Sequence, residues 1–330
     1  MDNKTNHYKV SVIIPFYNAH DYIARCVKNL LEQSMDGIEY IFINDGSSDN
    51  SIEILNLVLS HYPQRSSQVV LFDNEQNKGV VYCREIGIKR AQGEYIGFCD
   101  ADDWPSVDLY KKLYRVAKER SADMVWCDFY RAYGNDSKYV CQKVDENPIE
   151  YIKAFLCNKV MGVLWNKLFR REILQNDKVK TPPYGMMEDV CLLVQCLLLS
   201  KTIAYLPETL YYYYDNPNSL TNIGNRDKIE RQQKQIGIKQ KFIYDCLDKY
   251  GLQSQLKKEI GCNKYFRKMW TLPLVNTWKG CDEWMRIWPE INVSLFFNPY
   301  IPIHQKIVSI LIIFKLYPLV RKINSKSTCS

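Results

Sequence analysis

With 330 residues, 46% of them apolar, the chain can bury one large core and a smaller one, which excludes an intrinsically disordered protein. Its net charge of +7 is modest and locally concentrated: residues 291–330 contain no Asp or Glu, whereas Lys306, Lys315, Arg321, Lys322 and Lys326 all fall there. A basic end of this kind suits an anionic surface, and it argues against nucleic acid, which calls for basic residues along a groove or a recognition helix.

In chain order, Met1 to Val10 is polar and lacks the apolar stretch of a secretory signal, so a cytoplasmic protein is expected. The β-branched run Val10 to Ile14 predicts a strand. Ile23, Cys26, Val27, Leu30 and Leu31 then recur at helical spacing behind Asp21, read as an N-cap. Tyr40 to Ile43 predicts a second strand, followed by the turn-rich Asn44 to Asn50 and a helix with Ile54, Leu55 and Val58 on one face. Val69 to Phe72, Tyr95 to Cys99 and Met124 to Cys127 continue as strands, with helices over Val80 to Ala91 and Leu109 to Lys118. This alternation predicts an α/β fold with a mostly parallel sheet covered on both faces.

Past Asp136 the pattern shifts to longer helical stretches with aromatic clusters, and from Tyr211 to about Trp288 it is mainly helical. The expected division is an α/β domain over 1–210, a helical domain over 211–295 and a basic amphipathic tail over 296–330. Within the tail, Ile307 to Phe314 is uninterrupted apolar sequence between two lysines, short of the about 20 residues that span a bilayer. An interfacial helix at an anionic membrane and a core helix of the C-terminal domain both remain open, and the local lack of acidic residues favours the first. The 12 cysteines include no C-x-x-C pair, and Cys99, Cys191 and Cys196 lie in apolar runs, so they read as small core residues in a reducing compartment.

In a parallel sheet, ligands bind beyond the carboxyl ends of the strands. Three polar segments follow predicted strands directly: Pro15 to Asn18, Asp45 to Asp49 and Asp100 to Asp103. In the last, three carboxylates crowd one turn and repel one another unless a cation or donors balance them. With four scattered histidines a zinc-type site is unsupported, and carboxylates select a hard ion, Mg²⁺ or Mn²⁺, that completes its shell with phosphates. The alternative is structural, with Asp103 capping a helix that starts near Pro105. Asp45 can accept a base imide N–H or simply organise a turn, and Tyr17 can stack on a base or pack.

Val10 to Asn18 (VSVIIPFYN), Asn44 to Asp49 (NDGSSD), Asn77-Lys78-Gly79 with Arg84, and Gly93 to Ile96 leading into Asp100 to Asp103 together resemble the family 2 glycosyltransferases of GT-A fold. The resemblance covers about Lys9 to Asp128. It is looser beyond, where Leu164 to Arg171 and Glu188-Asp189 are similar to bacterial members. It implies a nucleotide-sugar half over 1–128 and an acceptor half over 129–210. It also implies that Tyr17 and Asp45 contact uracil, Asp100 the ribose and Asp102 the metal, with Pro15, Arg84 and Ala101 also in the nucleotide site. Asp189 falls where members keep their catalytic base; its alternative is an acidic helix start favoured by the dipole. Glu85 departs from the Asn that many members carry after the Arg. The Gln-x-x-Arg-Trp signature of processive members is absent, which implies addition of a single sugar.

The expected activity is therefore metal-dependent, inverting transfer of one sugar from a nucleotide-diphosphate sugar, a UDP-sugar foremost, to a saccharide hydroxyl. The acceptor expected is lipid-linked, at the inner face of the cell membrane, in surface polysaccharide synthesis. Rivals are a nucleotidyltransferase, which needs a Gly-rich basic loop where Pro15-Phe16-Tyr17-Asn18 stands, a non-catalytic sugar-nucleotide-binding protein, and a membrane-surface scaffold.

Overall fold

The computed structural model describes residues 8–134, 136–182, 185, 187–216 and 226–320. Two compact units divide the chain, the first holding residues 1–152 and 160–220 and the second residues 153–159 and 221–330.

The first unit opens with β1 (Val10–Phe16), α1 (Ile23–Leu31), β2 (Ile38–Asn44), α2 (Ser51–Ser60), β3 (Val69–Asp73), α3 (Val80–Arg90) and β4 (Tyr95–Phe98). It continues with β5 (Trp104–Pro105), α4 (Leu109–Glu119), β6 (Met124–Tyr133), β7 (Asp136–Val140) and α5 (Pro148–Leu156), the last shared with the second unit. It ends with β8 (Lys167–Arg170), α6 (Arg171–Leu174), α7 (Glu188–Leu199) and β9 (Ile203–Tyr214). The strands form a nine-stranded sheet in the order β3-β2-β1-β4-β8-β6-β9-β5, with β7 paired to β6.

The expected parallel sheet holds for β3, β2, β1 and β4, whose residues are buried throughout β1, β2 and β4. From β8 onward the pairing is mixed: β8 lies antiparallel between β4 and β6, β9 runs parallel to β6, and β5 runs antiparallel to β9. At Gly87 of α3 an added Cβ would lie 2.5 Å from Ile13 Cγ2, so the missing side chain lets that helix sit directly on β1.

Four local expectations change. Asp21 is not the cap of α1, because Tyr22 holds that position without a side-chain cap bond. Asp103 caps no helix either: Trp104 and Pro105 pair with Tyr212 and Tyr211, and α4 begins only at Leu109. The boundary expected at 210 falls inside β9, since Tyr211 to Tyr214 stay in register with Phe129 to Ala132 of β6.

The fourth concerns the C-terminal segment. The second unit contains α8 (Arg226–Lys249), α9 (Lys257–Met269), α10 (Trp278–Arg286), α11 (Ile291–Ser294) and α12 (Ile303–Ile313). Leu295, Ile301 and Ile312 join Tyr265, Val275 and Trp284 in its core. Residues 296–320 are therefore integral to the helical unit instead of trailing from it, while Arg321, Lys322 and Lys326 lie outside the described residues.

Candidate active site

Parallel pairing of β1, β2 and β4 brings the loops that follow them to one edge. The first two are laced together: the Asn18 amide donates to Ser47 Oγ (3.0 Å), the Ser48 amide to Asn18 Oδ1 (2.9 Å), and the His20 amide to Asp49 Oδ2 (3.1 Å). Asn18 and Gly46 both adopt positive φ, 46° and 70°, and a Cβ on Gly46 would come within 2.7 Å of the Gln76 backbone. That close approach places Asp45 against the loop leading into α3. Asp45 is 4% exposed; its Oδ1 accepts from the Lys78 amide (2.8 Å) and Asn74 Nδ2 (3.1 Å), and its Oδ2 from the Gly79 amide (2.8 Å). The Cys83 thiol also lies within hydrogen-bonding reach of this carboxylate, so Asp45 ties the second loop to the segment leading into α3. Tyr17 is 49% exposed, leaving its ring face open to solvent. Pro15 is buried within β1, and Ala101 is buried in the core beside the acidic turn.

The acidic turn is held by β9. Asp103 is fully buried; its Oδ2 accepts from the Tyr211 hydroxyl (2.8 Å) and its Oδ1 from the Tyr214 amide (2.7 Å), while burial and then Asp102 raise its pKa well above the carboxylate range. Asp102 accepts from Asn216 Nδ2 (2.9 Å) on Oδ2, and its backbone carbonyl accepts from Arg25 Nη2 (2.8 Å). Arg25 itself lies 3.7 Å from the Trp104 ring centroid, a cation–π contact that braces the turn from α1. Burial, followed by the charge of Asp100, raises the Asp102 pKa.

Crowded, desolvated carboxylates of this kind suit a hard divalent cation, whose charge relieves the repulsion. Among the described residues no three His, Cys, Asp or Glu side chains converge as a cage. One or two carboxylates completed by substrate phosphates and water is how Mg²⁺ is commonly held, so the residues present fit Mg²⁺ or Mn²⁺.

Arg84, 8% exposed on α3, joins the two acidic groups. Its Nη2 donates to Asp100 Oδ1 (2.9 Å) and its Nη1 pairs with Glu188 Oε1. Burial works against the cation, but Asp100, Glu188 and Asp189 outweigh it and hold the guanidinium pKa above its ordinary range. Beside it, half-buried Asp189 opens α7, its Oδ1 accepting from the Val190 amide (2.8 Å). Burial and then the Glu188 charge push the Asp189 carboxyl up to about 7, against the opposing pull of Arg84. Arg84, Glu188 and Asp189 line a cavity of about 500 Å³ whose walls include Leu164, Leu174 and Leu192. Glu85, also on its wall, pairs with Lys89 (2.6 Å).

Arg84 thus unites Asp100, Glu188 and Asp189, and Asp102 adjoins Asp100 in the same turn, whereas Asp45 and Tyr17 belong to the neighbouring loop pair. Tyr211, Tyr214 and Asn216 were not legible as site residues; the run of four tyrosines at 211–214 was the available signal, and only pairing with β6 shows which of them face the turn.

A sheet of this topology, with carboxylates at the carboxyl edge of its parallel half, has the GT-A fold. The glycosyl transferase family 2 profile matches residues 11–177, and the chain belongs to that family. It is 31% identical to the uncharacterized glycosyltransferase EpsJ of Bacillus subtilis over 260 residues, 76% of this chain and 73% of that protein. It is 26% identical to the cholesterol galactosyltransferase of Borreliella burgdorferi over 268 residues, covering 76% and 73% of the two chains. Among solved structures, S. aureus TarS 1–349 in complex with UDP-GlcNAc superposes with a TM-score of 0.59 over 97% of this chain and 92% of that one, at 15% identity.

Proposed function

We propose that this glycosyltransferase moves one sugar from a UDP-sugar to a saccharide hydroxyl with inversion at the anomeric carbon. Asp189 is the base, Asp102 the ligand of a bound Mn²⁺ or Mg²⁺, Tyr17 and Asp45 the uracil contacts, and Asp100 the ribose contact. Pro15, Arg84 and Ala101 complete the nucleotide site. The observation carrying this reading is the single guanidinium of Arg84 spanning Asp100 on the acidic turn and Glu188 beside Asp189. One cation thereby couples a donor-side carboxylate to a carboxyl whose pKa of about 7 suits proton exchange at neutral pH.

In the reaction, Asp189 takes the proton of the acceptor hydroxyl as its oxygen attacks the anomeric carbon from the face opposite the diphosphate. The glycosidic bond forms as the bond to the diphosphate breaks, without a covalent enzyme intermediate. Arg84 keeps the acid pair in place and adds positive charge near the nucleotide. A divalent cation bound at Asp102 supplies Lewis-acid neutralisation of charge on the departing phosphate.

The donor assignment draws support from TarS solved with UDP-GlcNAc and with UDP, and the metal from a Pyrobaculum calidifontis mannosyltransferase solved with GDP-Man and Mn²⁺, TM-score 0.50. A lipid-linked acceptor in surface polysaccharide synthesis, met at the inner face of the cell membrane, accords with two relatives. These are the cholesterol galactosyltransferase and, at 29% identity over 62% of this chain and 32% of that protein, the poly(ribitol-phosphate) beta-glucosyltransferase of Bacillus spizizenii.

Calorimetry with UDP and Mn²⁺ tests the reading. The wild type binds the pair, and Asp102→Asn weakens metal-dependent binding by about 10–100-fold. A wild-type protein that takes up no UDP in the presence of Mn²⁺ overturns the assignment.

A further inference from the structure

In the second unit, α12 buries one side and leaves the other bare. Ser309 and Ile312 are fully buried, and the Tyr265 hydroxyl donates to the Gln305 carbonyl (2.9 Å), fixing the inner side of the helix. On the outer side Ile303, Ile307, Ile310 and Phe314 are 77%, 52%, 41% and 69% exposed. Their spacing of four, three and four residues makes them one continuous stripe along the helix. Just before it, Val293 and Phe297 are 72% and 83% exposed. An apolar surface of this extent is costly to leave in water and marks a contact with something else.

The charge pattern selects the partner. No acidic residue occurs from 291 to 330, and lysines stand at both ends of the apolar run: Lys306, with its Nζ on the Phe296 carbonyl (3.0 Å), and Lys315, in an exposed ion pair with Asp282 (2.9 Å). An isologous dimer through this stripe would set the like basic ends of residues 291–330 against each other, and Asp282 is already committed to Lys315 of its own chain. A bilayer with anionic headgroups satisfies both features, taking the apolar side chains below the lysines. Among the described residues no helix is long and apolar enough to cross a membrane, so the geometry is that of a helix lying in the interface.

We propose that the outer stripe of α12, together with Phe297 and Val293, seats the protein in the headgroup region of an anionic leaflet. The proposal deepens the membrane placement proposed above and is independent of the donor and the base. Deletion of 296–330 is unsuitable as a test, because it would strip Ile301 and Ile312 from the core.

Cosedimentation of the full chain with vesicles decides it. Vesicles of phosphatidylcholine with phosphatidylglycerol should bind the protein about tenfold or more tightly than phosphatidylcholine alone, with the advantage lost in about 0.5 M salt. A Phe297→Ser, Ile307→Ser, Phe314→Ser triple variant should lose about tenfold or more of that binding while keeping its thermal midpoint and its affinity for UDP. If the triple variant unfolds, Phe297→Ser alone is read, with a loss of about threefold or more expected. Wild-type indifference to anionic vesicles, unchanged binding by a folded variant, or a dimer in light scattering that the variant dissociates would each overturn the proposal. Absence of UDP binding with vesicle binding intact would instead strike the reading of the active site alone.

Discussion

The acidic turn at 100–103 and the acid pair at 188–189 both put carboxylates beside Arg84, yet they are held in opposite ways. Asp102 and Asp103 are pinned by donors from a distant part of the chain, namely Tyr211, Tyr214 and Asn216 at the end of β9. Asp189 instead accepts locally, from the amide of the next residue in its own helix, and it is Glu188 that takes the arginine. The difference teaches a division of labour. On the proposed roles, the metal ligand Asp102 is fixed by a donor far along the chain, whereas the base Asp189 is held within its own helix beside Glu188, where burial and that neighbour bring its two charge states close in energy at neutral pH.

The largest expected effect tests the proposed base. Asp189→Asn should lower the transfer rate by about 10²–10⁴-fold while leaving UDP affinity unchanged, and in the wild type the rate should rise with pH through about 7 as the carboxyl loses its proton. Normal turnover by the variant would end the assignment of the base and erase the contrast between the two acidic groups.

Next comes the residue that joins them. Arg84→Met leaves Asp100 and Glu188 facing each other without a cation, and a loss of about 3–5 kcal/mol in urea unfolding of the first unit is expected. Arg84→Lys should recover only part, because one ammonium cannot reproduce two guanidinium nitrogens directed at two carboxylates. Equal stability for all three proteins would mean that the bridge is incidental.

The smallest effect sharpens the distinction between base and helix cap. The folded pKa of Asp189 lies above its unfolded value, so the folded chain binds more protons between about pH 4 and 7, and stability contributed by the protonated carboxyl is lost as pH rises through about 7. Asp189→Asn, which cannot ionise, should therefore raise the thermal midpoint at pH 8 by about 2–4 °C, and the gain should vanish toward pH 4. A helix-cap carboxylate favoured by the dipole predicts the reverse, a lower midpoint for Asn at pH 8.

How much was legible varies with the range of the interaction. The β1 to β4 half could be read because each strand is a short apolar run that ends in a polar loop, and successive units repeat the pattern. The order beyond β4 could not, since the insertion of β8 between β4 and β6 depends on pairing Lys167 to Arg170 with residues about 40–75 positions away. Asp103 illustrates the same limit. An Asp two residues before a Pro carries a local signature of a helix start, and it lost to a cross-strand contact with Tyr211 that no local window contains. The last segment was read as either interfacial or core; α12 buries Ile312 in the core and leaves Ile303, Ile307 and Phe314 exposed.

From its order of residues alone, this protein specified an α/β scaffold, the three polar loops at its carboxyl edge and the carboxylates they carry, because periodicity and short motifs are local properties. Tertiary structure alone decided which carboxylates Arg84 bridges, which tyrosines brace the acidic turn, and which side of α12 remains in water. Those outcomes depend on burial and pairing between distant segments, and desolvation acquires a value only once the chain has closed around a group.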